Sequence, residues 1–330
     1  MGKKPAKAKK ILDDDGQGMK MLACMLRAAG NTREKYRTAG IDASVFIDTM
    51  KCFSRFVREH KNSFGVWGFD RDFWTGRRGV RTAFRRHLPG GKEMLLNIEA
   101  VIAELDLHKG SIVSVVGSGG KTTLIETLAE ALCTQYRVCV AASTHMRVPP
   151  ADVHRHLILK DQSGLSNPCS LPGIYYAADA LVPGGKLSGF SPEMVQWAQT
   201  HTDIILIEAD GSRSLPLKGW AEYEPVVIRE TQMTIGVMPL FLLGQPVGPH
   251  NVHRFELFSQ LTGAKDGDML TCGHIVAAIT GSRGLFAKAI GKKAMFFSQV
   301  NTPELKEAAA LIAAKLRPDI DPVIIGSLRP

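Results

Sequence analysis

Two textures of apolar and polar positions divide the chain. From Met19 to about Leu88 the pattern is helical: "MKMLACMLRAAG" ends on Gly30 as a C-cap, and "DASVFIDTMKCFSRFVREH" starts with Asp42 or Ser44 as N-cap. Phe46, Met50, Phe53 and Phe56 recur at helical spacing and read as a core stripe. From Lys92 onward strands and helices alternate. "MLLNIEAVIAEL" reads as an amphipathic helix, "SIVSVVG" as a buried strand, "KTTLIETLAEAL" as a helix and "RVCVAAS" as a second strand. "ALVPG", "EMVQWAQTH", "DIILIEADG", "MTIGVMP", "HIVAAIT", "AMFFSQV" and "PELKEAAALIAAKL" continue the series. Continuously apolar strands alternating with helices predict an α/β fold with a mostly parallel sheet covered on both faces. Pro89-Gly90-Gly91 is the best linker, so the expected organisation is a tail over 1–18, a small all-α module over 19–90 and an α/β domain over 91–330.

Composition narrows the class. An apolar fraction of 45% and a charged fraction of 22% are ordinary for a globular protein and exclude a fibrous or wholly disordered chain. The net charge of +9 is unevenly placed: residues 1–100 hold 21 Lys and Arg against 11 Asp and Glu, leaving 20 against 21 in the remainder. The basic excess is therefore N-terminal, either a module for an acidic partner, RNA or a membrane surface, or a solvated tail and helix face. Trp67, Phe73 and Trp74 stand among Arg71, Arg77, Arg78 and Arg81, a mixture that can stack on bases and hold phosphates. The same mixture is common on helical surfaces without nucleic acid, which is not expected as a partner. "MGKKPAKAKK" leads into "ILDDDGQG" with no apolar stretch, so it is not read as a signal peptide, and no run is long enough for an integral membrane segment. The six cysteines include no C-x-x-C pair and no zinc spacing, the usage of a cytoplasmic protein with reduced thiols. Cys133 and Cys139 read as packing residues at a helix end and on a strand.

The chemistry gathers around "VVGSGGKTT". A loop between a buried strand and a helix presents backbone N–H groups to an anion at the helix N-terminus. Gly117, Gly119 and Gly120 would let the backbone approach a phosphate, with Ser118 between them; Lys121 would neutralise the β/γ oxygens, and Thr122, followed by Thr123, would hold Mg²⁺. The spacing G-x-x-G-K-T is two residues shorter than the usual phosphate-binding loop. The competing reading is a tight structural turn. "DIILIEADGSR" supplies carboxylates after four apolar residues: Glu208 is placed as a Mg²⁺ ligand or its neighbour, and Asp210 as the residue that orients water or couples to a loop. A strand followed by an Asx-type turn would need Asp210 alone. "ASTHMR" sets Thr144 and His145 at the carboxyl edge of the sheet, where such folds bind ligands. The fold class expected is thus a P-loop-like three-layer α/β domain with an N-terminal all-α extension.

Taken in order, "VVGSGGKTT", "STHM", "GGKLSGF", "LIEADGSRSLPLKGWAEYEP" and "VHRFELFSQLTG" resemble the YqeC-type accessory proteins linked to selenium-dependent molybdenum hydroxylases. The resemblance runs from about Leu95 to the C-terminus. It implies a nucleotide-binding protein that helps mature or insert a selenium-containing labile cofactor, with nucleotide, a molybdopterin-type cofactor and a molybdenum hydroxylase as partners. Lys186, Gly189, Lys218, Glu222, Glu224, His253 and Arg254 carry over from its motifs. Lys218 and Arg254 are cations able to hold an anionic substrate, phosphate or a pterin-dinucleotide pyrophosphate, while Lys218 could instead pair with Glu222 one turn on. Where relatives often show an N-K-x-D-like segment, this chain has Ser298-Gln299-Val300-Asn301. An amide at Asn301 reads guanine less well than a carboxylate, which favours ATP over GTP as the cofactor with Mg²⁺. Near the N-terminus, "AGIDASVFIDTM" and "VWGFDRDFWTGRRG" resemble helical modules that precede certain acyltransferase domains, although no acyltransferase core follows.

Three readings stand at this level. In the preferred one Lys121 and backbone amides bind phosphates, Thr122 and Glu208 hold Mg²⁺, and Asp210 couples nucleotide hydrolysis or nucleotidyl transfer to cofactor maturation. In the second the chain is a non-catalytic carrier of a phosphate-bearing cofactor. In the third the short loop spacing points to a Mur-like ATP-dependent ligase that works through an acyl phosphate.

Overall fold

The computed structural model describes residues 96–148, 155–160 and 169–328. The N-terminal tail, the helical module with its aromatic and arginine segment, the linker, Cys24 and Cys52 lie outside the described residues.

Eight strands build the main sheet: β1 (Ile112–Gly117), β2 (Arg137–Ala142), β3 (Arg155–Leu159), β4 (Gly173–Ala178), β5 (Ile204–Glu208), β6 (Met233–Pro239), β7 (Lys292–Ser298) and β8 (Ile320–Ile325). Their order is β8-β7-β6-β1-β5-β2-β4-β3, and every neighbouring pair is parallel. Strand β1 lies between β6 and β5, so its carboxyl end faces those of two neighbours.

Side chains alternate across the sheet with period two. Val113 and Val115 of β1, Val138 and Val140 of β2, Ile204 and Leu206 of β5, and Phe296 of β7 share one face. That face is covered by α1 (Ile98–Glu104) through Val101, and by α2 (Lys121–Leu132) through Leu124, Ile125 and Leu128. On the opposite face Cys139, Ala141, Ile205 and Ile207 pack under α3 (Pro192–His201) through Met194, Val195 and Trp197. The other half of that face, with Val116, Met295, Phe297 and Val323, lies under α4 (Phe255–Thr262), α5 (Cys272–Thr280) and α6 (Pro303–Ala313). Each fully buried Leu or Ile in these layers contributes about 1.5–3 kcal/mol, so the sheet is the rigid part on which loops are hung.

The three-layer α/β domain is the one the periodicity predicts, with a sheet that is wholly rather than mostly parallel. Three strands of the main sheet were not anticipated from the sequence: β3, β4 and β8. The run "GIYYAA" of β4 is short and aromatic, and β8 carries Pro322, a residue that a parallel strand tolerates at the sheet edge, where β8 lies. "HIVAAIT" forms α5, started by Thr271, whose hydroxyl accepts from His274 N while the His274 ring accepts from Thr271 N. "ALVPG" supplies Leu181–Val182 alone, one edge of a small antiparallel sheet with Lys186–Leu187 and Met146–Arg147.

Candidate functional site

The turn from β1 into α2 has a backbone that only glycine accommodates. Gly117 has φ +104°, and a Cβ there would lie 2.2 Å from the Val237 carbonyl oxygen of β6. Gly119 has φ +65°, and a Cβ would strike the ring of Pro239 at 2.3 Å. The loop is tied to the end of β7 as well: Ser298 Oγ and Gln299 Nε2 donate to the Gly119 carbonyl at 2.6 and 3.2 Å. Ser118, fully buried within the loop, has a hydroxyl with no hydrogen-bond partner among the described residues. Helix α2 begins at Lys121 with no side-chain cap, so its first N–H groups are offered to the space before it.

Lys121 is 3% exposed and folded back on its own loop. Its Nζ donates to Gly117 O at 2.6 Å and lies 3.2 Å from Asp210 Oδ1 and 3.6 Å from Glu208 Oε1. Burial by itself would lower the Lys121 pKa, but the carboxylates of Asp210 and Glu208 outweigh it and hold the pKa above the ordinary lysine value. Thr122, on the exposed side of the same turn, donates its hydroxyl to Glu208 Oε2 at 3.1 Å. Strand β5 brings Glu208 here because it pairs directly with β1, Val115 beside Glu208.

Asp210 lies two residues past the end of β5 and has no exposed surface. The Gly117 N–H donates to both of its oxygens, at 3.0 and 3.1 Å. Lys218 Nζ and Trp220 Nε1 donate to Oδ2 at 3.1 and 3.0 Å. With Lys121, four groups serve one carboxylate, which is how an ionised Asp survives full burial. Lys218, equally buried, uses its three N–H groups on Asp210, on Gly211 O at 2.6 Å and on Glu224 Oε2 at 3.1 Å. Arg254 Nη1 donates to the same Glu224 oxygen, and Nη2 donates to Tyr223 OH at 2.9 Å. Residues Lys121, Lys218 and Arg254 thus interleave with Glu208, Asp210 and Glu224 in one neutral, largely buried chain of charges.

The sequence placed Gly117, Ser118, Gly119, Gly120, Lys121, Thr122, Glu208 and Asp210 at one site, and the fold brings them together. The Glu222 pairing read for Lys218 is not the one formed: its partners are Asp210, Glu224 and the Gly211 carbonyl, and the three leave it no N–H for a ligand. Arg254, at φ +55°, precedes α4 and keeps a quarter of its side chain exposed. Burial, followed by the nearby cations Arg254 and Lys218, pushes the His253 pKa down. "STHM" and "GGKLSGF" do meet, since a Cβ on Gly189 would lie 3.0 Å from Ser143 O and 3.1 Å from Thr144 O. No hydrogen bond or ion pair among the described residues joins Thr144, His145 or Lys186 to Lys121, Glu208 or Asp210.

Trp220 and Ser298 are participants that sequence reasoning missed, and Glu224 had no assigned role. The available signal was physical: a carboxylate following a buried strand needs donors, and "PLKGWAEYEP" is where the chain carries a lysine and an indole N–H next. Beside the loop, a cavity of about 190 Å³ is lined by Gly119, Gly120, Thr123, Phe296, Ser298 and Gln299. The Asn301 Oδ1 accepts from Ser327 Oγ, so that amide oxygen is already engaged.

A family model described as YqeC protein matches residues 113–256, which span every charged member of the chain from Lys121 to Arg254. A model described as N-acyltransferase N-terminal domain matches residues 1–78. No solved structure matches. The Escherichia coli (strain K12) protein YqeC is 34% identical over 200 residues, covering 58% of this chain and 77% of its own length. At that identity and coverage the chain belongs to the YqeC family.

Proposed function

We propose that the turn of residues 117–123 binds the phosphates of a nucleotide together with Mg²⁺, and that this serves maturation or insertion of the selenium-containing cofactor of molybdenum hydroxylases. Membership of the YqeC family supports the maturation role at the level of the family. The observation that carries the nucleotide reading is the convergence of a buried lysine, a helix N-terminus and a carboxylate on one glycine turn. The uncapped start of α2 and the unpartnered Ser118 hydroxyl supply donors, and Lys121 supplies the charge.

The residues present fit Mg²⁺. Thr122 Oγ1 and Glu208 Oε2, 3.1 Å apart on the partly exposed side of the turn, are hard oxygen ligands of the kind that Mg²⁺ takes alongside water and phosphate. Among the described residues no group of three or more His, Cys, Asp or Glu could hold a metal without such help. A bound Mg²⁺ would supply charge neutralisation at the phosphates. Lys121 would bind the phosphate oxygens, Ser298 and Gln299 would fix the Gly119 peptide, and Asp210 would hold the Gly117 N–H and orient the loop.

The test is binding and turnover of ATP and GTP, side by side with and without Mg²⁺, by the wild type, Lys121→Met and Glu208→Gln. Loss of binding in the first variant and loss of the Mg²⁺ requirement or of turnover in the second is expected. Equal nucleotide binding by wild type and Lys121→Met would overturn the reading. Binding without turnover in the wild type would leave a carrier of a phosphate-bearing cofactor. No helix among the described residues is long and apolar enough to cross a membrane.

A further inference from the structure

A second cavity, of about 370 Å³, lies at the Glu224 end of the buried charge chain. One wall is Ala221, Glu222 and Glu224; the other is the segment after α5, with Ser282, Arg283 and Lys288. Its volume falls within the range of small-molecule sites. Arg283 and Lys288 are exposed, and neither makes an ion pair or hydrogen bond among the described residues. Two unpartnered cations and a hydroxyl on one wall suit an anionic group such as a phosphate. Glu222 on the opposite wall is an exposed acceptor, suited to the N–H groups of the same molecule.

This cavity is wired to the glycine turn in two ways. Glu224, in its wall, is the partner of Lys218, which holds Asp210, which holds the Gly117 N–H. The segment that carries Arg283 and Lys288 also carries Leu285, which is buried against Gly117: a Cβ on that glycine would meet Leu285 Cδ1 at 2.9 Å. A ligand in the cavity and a phosphate at the turn would therefore act on opposite ends of one set of contacts.

We propose that this cavity is the site of a second substrate, a phosphate-bearing small molecule with N–H donors, bound by Arg283, Lys288 and Ser282 at its phosphate and by Glu222 at its donors. Its role as a co-substrate rests on the nucleotide reading of the turn; its existence as a binding site does not. Calorimetric titration of the full chain with inorganic pyrophosphate tests it, using the wild type, the double variant Arg283→Ala/Lys288→Ala and Lys121→Met. Both cavity residues are exposed and make no ion pair or hydrogen bond among the described residues, so their removal leaves the fold intact, as circular dichroism would verify. The wild type is expected to take up two equivalents. The cavity variant should lose one of them, with affinity at that site falling at least tenfold, and Lys121→Met should lose the other. A cavity variant that titrates like the wild type overturns the proposal. A Lys121→Met protein that titrates like the wild type, beside a cavity variant that loses one site, overturns the nucleotide reading and leaves this one standing.

Discussion

Replacing Asp210 by Asn tests the buried charge chain directly. The substitution keeps the shape but removes the charge that Lys121 and Lys218 face at 3.2 and 3.1 Å, at a position with no exposed surface. It also turns one oxygen into an N–H donor among four donors, so at least one buried donor is left facing another. Removing one partner of a buried ion pair costs about 3–5 kcal/mol, because the remaining charge stays desolvated without compensation. For a domain of this size that is a fall in Tm of about 6–20 °C. Urea unfolding followed by far-ultraviolet circular dichroism measures it. Lys218→Met should cost a similar amount, and the double variant Asp210→Asn/Lys218→Met should be less destabilised than the sum of the two by about 1–3 kcal/mol, the signature of a shared contact. A loss below about 1 kcal/mol for Asp210→Asn would refute the reasoning, since that is the range of solvent-screened surface pairs.

Gly117→Ala should fail more severely than an ordinary surface change, by about 3 kcal/mol or more, because the methyl would enter Val237 O and the positive φ would be strained; thermal unfolding reads it, and a near-neutral effect would show that the turn can relax. Arg137 grips Asp203 through Nε and Nη2 at 2.9 and 2.8 Å, and these bonds hold the Asp203 pKa well below the carboxylate range. The folded value being depressed, this contribution is full above the unfolded pKa of about 3.9 and fades as pH falls below it, so Arg137→Ala should cost about 1–3 kcal/mol at neutral pH and progressively less in acid-unfolding curves below about pH 4. Burial pushes the Cys169 thiol up to about 11 and Cys139 higher still. At pH 8 peptide mapping after alkylation should find both unmodified in the native protein and both modified in denaturant; rapid native labelling would show that the α3 side of the sheet opens.

The fold was legible wherever a strand is apolar throughout and flanked by breakers, as in "SIVSVVG" and "DIILIEADG". It was hidden where tertiary context overrides pattern: β8 holds Asp321 and Pro322, which only an edge position allows, and "HIVAAIT" has a strand's composition yet is a capped helix. The glycine turn and its acids were legible because their chemistry is local. The role of "PLKGWAEYEP" was legible as a motif but not as a mechanism. Its Lys218 is close enough in sequence to pair with Glu222, and only the return of the chain under Asp210 explains why Asp210 and Glu224 win instead.

That return also explains how a lysine so firmly held could serve a phosphate. For Lys121 to turn outward it must leave Asp210, and a buried carboxylate abandoned by its only cation would make the move costly. Asp210 is not so abandoned, because the Gly117 N–H, Lys218 and Trp220 Nε1 all remain on it. Glu208 sits at the partly exposed end with 17% of its side chain accessible, where water or a cation can replace the lysine. Under the proposed function, the second lysine and the indole would keep the interior satisfied if Lys121 turned from Asp210 to a phosphate. A chain with Lys121 and Asp210 alone would have a tighter pair and a worse anion site.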